Sequence, residues 1–183
     1  MRTYLNEQKA TAMAAYFLQK AGGEMEYIKL IKLLYIADRE ALKRWGRPLT
    51  GDAYYSLPHG PIVSRIKDFI TDDPELSGAK VWKDFIETEP QKYSVRLKRE
   101  VPWNSLADAE VELLEEIFKK YGRLTKWEIV ELTHRFSEWK DPGGSALEIT
   151  YEDILRAVGR ADEAEELAKE IEDHNFAKAL LEE

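Results

Sequence analysis

The chain has 183 residues, 44% of them hydrophobic and 11% aromatic, which is enough for a sizeable core and argues against disorder of the whole. It has no cysteine, so disulfides, thiolate metal sites and cysteine nucleophiles are excluded. The net charge of -8 is uneven, with net +3 over residues 1–100 and net -11 over residues 101–183, and the acidic half disfavours phosphate backbones while suiting a basic protein partner.

The N-terminal "MRTYLNEQKATAMAAYF" has no uninterrupted apolar run, and no stretch approaches 18 apolar residues. The expectation is a soluble, cytoplasmic protein with no membrane partner. Asn6 can cap a helix from about Glu7 to Ala21, which Gly22-Gly23 stops. A second helix is expected from about Met25 to Trp45, ending at Gly46 with Pro48 beyond. At 100° per residue it gathers Lys29, Lys32, Arg39, Glu40, Lys43 and Arg44 on one arc. Leu33 and Ile36 fall in the same arc, so the helix is expected to touch protein on more than one side. Asp38 breaks the pattern more sharply, lying near the middle of the apolar arc. A buried carboxylate is costly unless paired or hydrogen-bonded, and the expected partners lie near His59, Gly60 or Tyr54.

In "YYSLPHGPIVSRI", Ala53 to Leu57 reads as a short strand. Gly60 and Pro61 then suit the N-cap and first position of a helix to about Ile70. "SVRLK", with Tyr93, Val95 and Leu97 alternating, reads as a strand whose partner is "VWKDFI" through a turn at Glu89-Pro90-Gln91. Val81, Trp82, Phe85 and Ile86 also fit a helical turn. Ser105 with Asp108 opens a helix to Tyr121, and Thr125 with Glu128 opens another to about Arg135. Thr150 caps a helix to Val158, and a final acidic helix runs from Ala161 to about Leu181. The fold class is α+β, mostly helical with a small antiparallel sheet of about three strands. The division expected is a domain over 1–159 and an acidic helical segment over 160–183.

No phosphate loop, nucleophile elbow, zinc-protease helix or calcium loop is present, and His59, His134 and His174 lack ligand spacing. Neither a metal nor a cofactor is expected, and no catalytic residue is assigned. Ser56, His59 and Asp38 could be drawn as a hydrolase triad, but the favoured reading is a structural Asp38–His59 pair fixing the joint after the strand. Two helices joined by a short glycine turn over 113–135 resemble a helix-turn-helix, yet the second carries Glu128 and Glu131, so nucleic acid is disfavoured. Trp45, Trp103, Trp127, Trp139, Tyr54 and Tyr55 read first as packing residues. The alternative is that Trp45, Arg47, Tyr54 and Tyr55 form a protein-binding patch. In the acidic tail, Ala164, Leu167, Ala168 and Ile171 form a stripe that either packs on the domain or engages a partner, with Leu167 and Ile171 its candidate contacts.

"KLIKLLYIADREALKRWGRPLTGDAYYSLPHGPI", Lys29 to Ile62, resembles the Panacea domain, also described as the SocA-like antitoxin domain. "LTHRFSEWKD", Leu132 to Asp141, resembles the family's second signature, and "YEDIL" sits where a closing family helix would begin. The resemblance covers roughly Asn6 to Gly159. It implies a mostly helical fold with a small sheet, no enzymatic activity, and the role of antitoxin in bacteria or phages. The implied partner is a cognate protein toxin encoded beside it. The family name also suggests a proteolytic adaptor, and a transcriptional regulator using the 113–135 region is the other alternative.

Overall fold

The computed structural model describes residues 1, 3–71, 77–102 and 104–181. Trp103 lies outside them. In chain order the first elements are α1 (Glu7–Lys20), β1 (Glu24–Glu26), α2 (Tyr27–Trp45), β2 (Tyr54–Leu57), β3 (Gly60–Val63) and α3 (Ser64–Thr71). A single turn α4 (Trp82–Phe85), β4 (Ile86–Glu89), a 3₁₀ turn (Pro90–Lys92) and β5 (Ser94–Leu97) follow. The chain then forms α5 (Asp108–Tyr121), α6 (Lys126–His134), β6 (Leu147–Ile149), α7 (Tyr151–Ala157), a second 3₁₀ turn (Ala161–Glu163) and α8 (Ala164–Leu181). The expected class, α+β and mostly helical, is what the chain adopts.

α2 is the axis of the molecule. Every residue from Leu30 to Asp38 is buried, including the charged arc's Lys32 as well as Leu33 and Ile36. α1, α5, α6, α7 and β3 surround it, so a helix whose sequence shows one wet face has almost none along its first three turns. Lys32 is therefore a correction to the amphipathic reading, because β3 and α6 cover the arc it lies on.

The strands form two antiparallel sheets of three, in the orders β1-β5-β4 and β3-β2-β6. The strand at 94–97 and its turn are as expected, but its partner is Ile86–Glu89, and Trp82–Phe85 is the helical turn that its spacing also permitted. β1 and β6 were not foreseen; each is three residues long and too short to show alternation.

The joint after β2 also differs from expectation. Gly60-Pro61 does not begin a helix; Leu57 pairs with Gly60 and Tyr54 with Val63, making a tight hairpin turned by Pro58 and His59. Proline is compatible with β3 because this strand lies at a sheet edge. The helix begins only at Ser64, and its first turn is capped from a distance. Asp52 accepts the Arg65 and Ile66 N–H groups at 2.9 and 3.0 Å, supplying the acceptors that a local N-cap would otherwise provide.

The caps at Asn6, Thr125 and Thr150 form as their spacing predicts, each side-chain oxygen accepting the N–H three residues on. At α5 the helix starts after Ala107, and Glu110 rather than Ser105 caps it, accepting the Ala107 N–H at 3.0 Å.

The acidic tail docks on the domain. Ala164, Ala168, Ile171 and Asn175 are buried, and Asn175 Nδ2 donates to the Tyr151 hydroxyl at 3.4 Å. Gly46 closes α2 in a left-handed conformation (φ +68°), and a Cβ there would lie 2.9 Å from Arg160 Nη1 and 3.2 Å from Leu167. The left-handed φ favours glycine here, and a Cβ would require the Arg160 and Leu167 side chains of the tail to shift.

Ile171→Ala should therefore lower unfolding stability by about 2–4 kcal/mol, read as a lower urea midpoint at unchanged slope. A variant truncated after Gly159 should lose more. Equal midpoints for wild type and Ile171→Ala would mean that the helix does not contribute to the core.

Candidate protein-binding groove

The site grows from the buried carboxylate on α2. Asp38 has no solvent exposure. Its Oδ1 accepts the backbone N–H groups of Leu49 and Thr50 at 2.8 and 2.9 Å. Its Oδ2 accepts the Thr50 hydroxyl and, at 2.8 Å, the Tyr54 hydroxyl. Burial pushes the Asp38 carboxyl up, against the opposite pull of these donors. The chain leaving α2 is thereby folded back around its own helix, and this fixes where β2 begins. Asp52, also buried, accepts the N–H groups of Ala53, Arg65 and Ile66. Burial lifts its carboxyl to about 7.

With β2 placed, the segment from Leu132 to Asp141 docks on the hairpin and on α2 together. Trp139 Nε1 donates to the Leu57 carbonyl at 3.0 Å, and His134 Nε2 bonds the Pro58 carbonyl at 3.1 Å. The His134 and Trp139 rings stack at 4.2 Å. Glu138 Oε1 accepts the Tyr35 hydroxyl at 2.9 Å and Arg39 Nε at 2.7 Å. Arg39 in turn lies 4.1 Å above the Phe136 ring. The two motifs of the sequence thus meet through a buried ion pair flanked by aromatic rings.

On the other side of the hairpin, Lys32 Nζ donates to the Pro61 carbonyl at 2.7 Å. No carboxylate among the described residues pairs with it. Gly60 is pinched between Lys32 and α6: at φ +96°, a Cβ on it would lie 2.7 Å from Thr133 Oγ1 and 3.1 Å from Lys32 Nζ. Removal from water pulls the Lys32 ammonium down from 10.5 to about 7.

Beside this joint lies an open groove of about 280 Å³. Its apolar wall comes from Ile28 and Ile31 of α2 and from Leu57 and Ile62 of the hairpin, and its polar groups include Lys32, His59 and Lys67. His59 makes an edge contact with Trp127 at 5.7 Å between centroids. Trp127 is 55% exposed at the start of α6.

The expected Asp38–His59 pair is not formed. The donors to Asp38 come from Leu49, Thr50 and Tyr54, whereas His59 sits in the exposed hairpin turn against Trp127. The turn points its second residue outward, while Asp38 is reached only by the residues that wrap the end of α2. A Ser56–His59–Asp38 triad is therefore not assembled either. Tyr54 is fully buried and cannot belong to a surface patch. Tyr55 lies on the opposite face of the same strand and is half-buried. Trp45 is half-buried with Arg47 5.9 Å from its ring, and Arg47 also pairs with Glu110 at 3.6 Å. Leu167 and Ile171 face inward against the domain. Sequence reasoning missed Lys32, Trp127 and the Arg39–Glu138 pair as site residues. The one available signal was "LTHRFSEWKD", whose Glu138 has polar neighbours along the chain but lies at a buried crossing.

Among the described residues, no group of His, Asp or Glu side chains is placed to hold a metal ion. No helix is long and apolar enough to cross a membrane. What the groove offers is an apolar trough with cationic groups and an exposed indole at its rim, an arrangement suited to recognising another protein. The family model described as antitoxin SocA-like, Panacea domain, matches residues 30–140, a span holding α2 from Leu30 onward, the hairpin, α6 and all but the last residue of the Leu132–Asp141 segment. No curated protein and no solved structure matches the chain.

Two measurements test this local chemistry. The Lys32 amine titrates lower in the folded chain than in the unfolded one, so between pH 7 and 10.5 the unfolded chain holds more protons. Stability should thus rise with pH across that window, by roughly 2 kcal/mol from about pH 7.5 to 9.5. Lys32→Met should flatten the rise in urea unfolding, and an unchanged slope would show that the amine is solvated. Asp38→Ala, which strands several buried donors, should cost about 2–4 kcal/mol in the same assay.

Proposed function

The chain belongs to the SocA-like antitoxin family, and from that premise we propose that it neutralises one cognate protein toxin by direct binding, as the antitoxin half of a type II pair. The toxin would be the product of the adjacent gene. The observation that carries this reading is the match over residues 30–140, which takes in all but the end residues of the two motifs and most of the lining of the groove between α2 and the hairpin. The buried polar groups support it in a second way. Asp38, Asp52 and Glu138 are each occupied by hydrogen bonds within the fold, so these carboxylates act as scaffold, in keeping with a protein that works by binding.

The experiment is co-expression with the neighbouring gene under separate promoters. Expression of the neighbour alone should arrest growth. Adding this chain should restore growth, and the two proteins should purify together as one complex. Growth arrest that persists while this chain accumulates in folded form would sink the reading.

A further inference from the structure

We propose that the groove beside the β2–β3 hairpin seats an acidic–apolar segment of the toxin, with an apolar side chain entering between α2 and the hairpin and a neighbouring carboxylate meeting Lys67. The proposal rests on the antitoxin reading and adds to it the chemistry of the partner's contacting segment.

The lining of the groove carries the inference. Ile28, Ile31, Leu57 and Ile62 give it apolar walls. Burial of one large aliphatic or aromatic side chain there would remove apolar surface from water on both partners. The ionisable side chains among its described lining residues are Lys32, His59, Lys67 and the phenol of Tyr27, so no carboxylate lines it. Lys67 lines the groove with its side chain one-third exposed, 4.0 Å from Asp68, the outer limit of an ion pair, and 3.5 Å from the Thr71 hydroxyl. Lys32 is held in the wall by one hydrogen bond to the Pro61 carbonyl, although an ammonium carries three donors. A carboxylate entering here meets the Lys67 ammonium, and no described lining residue sets a like charge against it.

The rim supplies an anchor. Trp127 is 55% exposed, yet its ring is positioned by His59 on one side and by Lys126, 5.5 Å from its centroid, on the other. An exposed indole already oriented by its neighbours loses little freedom when a partner covers it, as interface anchors do.

The test uses the full chain and the product of the adjacent gene, purified as their complex and as separate proteins. Lys67→Glu and Trp127→Ala should each raise the dissociation constant by at least roughly tenfold at low salt. Lys169→Glu is the control, since it lies on α8, which packs at the far end of α2 near Gly46. Its affinity should stay within roughly twofold of wild type. Carbodiimide treatment of the complex, which joins amines directly to carboxylates, should link Lys67 to an Asp or Glu of the toxin in peptide mass spectra. The proposal is overturned if the wild-type complex forms but Lys67→Glu binds as tightly and the cross-links map to another face. If the wild-type chain fails to bind that product at all, the antitoxin reading itself has failed, and the wild-type arm alone shows it.

Discussion

A single carboxylate organises much of this molecule. Asp38 lies in the middle of the most buried helix, and placing a charge there is unfavourable unless its lone pairs are filled. The residues that fill them, Leu49, Thr50 and Tyr54, belong to the chain leaving that helix. Satisfying Asp38 therefore dictates the path out of α2, the start of β2 and the inward direction of the Tyr54 ring. That ring then makes edge contacts with Tyr35 and Tyr151 at 5.7 Å each, carrying the arrangement into α7. Tyr151 in turn bonds Asn175 of α8. One buried carboxylate thus ties α7, and the tail beyond it, to α2.

The hairpin turn is fixed from both sides by different chemistry. On the α6 side, His134 Nε2 and Trp139 Nε1 hold the Pro58 and Leu57 carbonyls. On the α2 side, a lysine holds the Pro61 carbonyl. Such a turn has little freedom to rearrange, and the groove beside it is largely preformed. A preformed site avoids the ordering cost that a flexible loop would incur on binding. Rigidity here serves recognition as well as stability.

The sequence made some of this legible, and the reasons for the rest are physical. Asp38 was readable because periodicity marks a polar residue on an apolar arc whatever its partners. Of its expected partners, Tyr54 does donate to it, while His59 does not, because that depends on which way a two-residue turn faces. Leu57-Pro58-His59-Gly60 put His59 within reach on paper and outward in space. Lys32 was misread for a related reason. A lysine among other charges looks solvated until tertiary contacts cover that arc, and those contacts come from β3 and from α6, up to a hundred residues away in sequence. Gly60-Pro61 has the local signature of a helix start, but antiparallel pairing with β2 overrides it and moves the helix to Ser64. The apolar stripe of the tail was visible by spacing. Whether it meets the domain or a partner is a question of docking, which spacing cannot answer.

The distribution of charge gives the groove a particular consequence. α2 is 19 residues long, so its ends lie about 28 Å apart. The cationic groove sits at its first turns and the acidic tail packs at its last. At physiological salt, charges act over about 8 Å, so the two surfaces work almost independently. A wholly acidic partner would be repelled by the chain's net charge before it reached the groove. A basic partner would be drawn in by that charge, but the cationic wall would reject its lysines and arginines at contact. On the proposed reading, this pattern would favour a partner that is basic overall and displays a local acidic–apolar segment. Selection by two requirements of opposite sign excludes more competitors than either would alone, because a protein meeting one of them by chance tends to violate the other. The specificity of such a pair would then lie in the contrast between the acidic surface as a whole and the lysine-bearing groove beside α2.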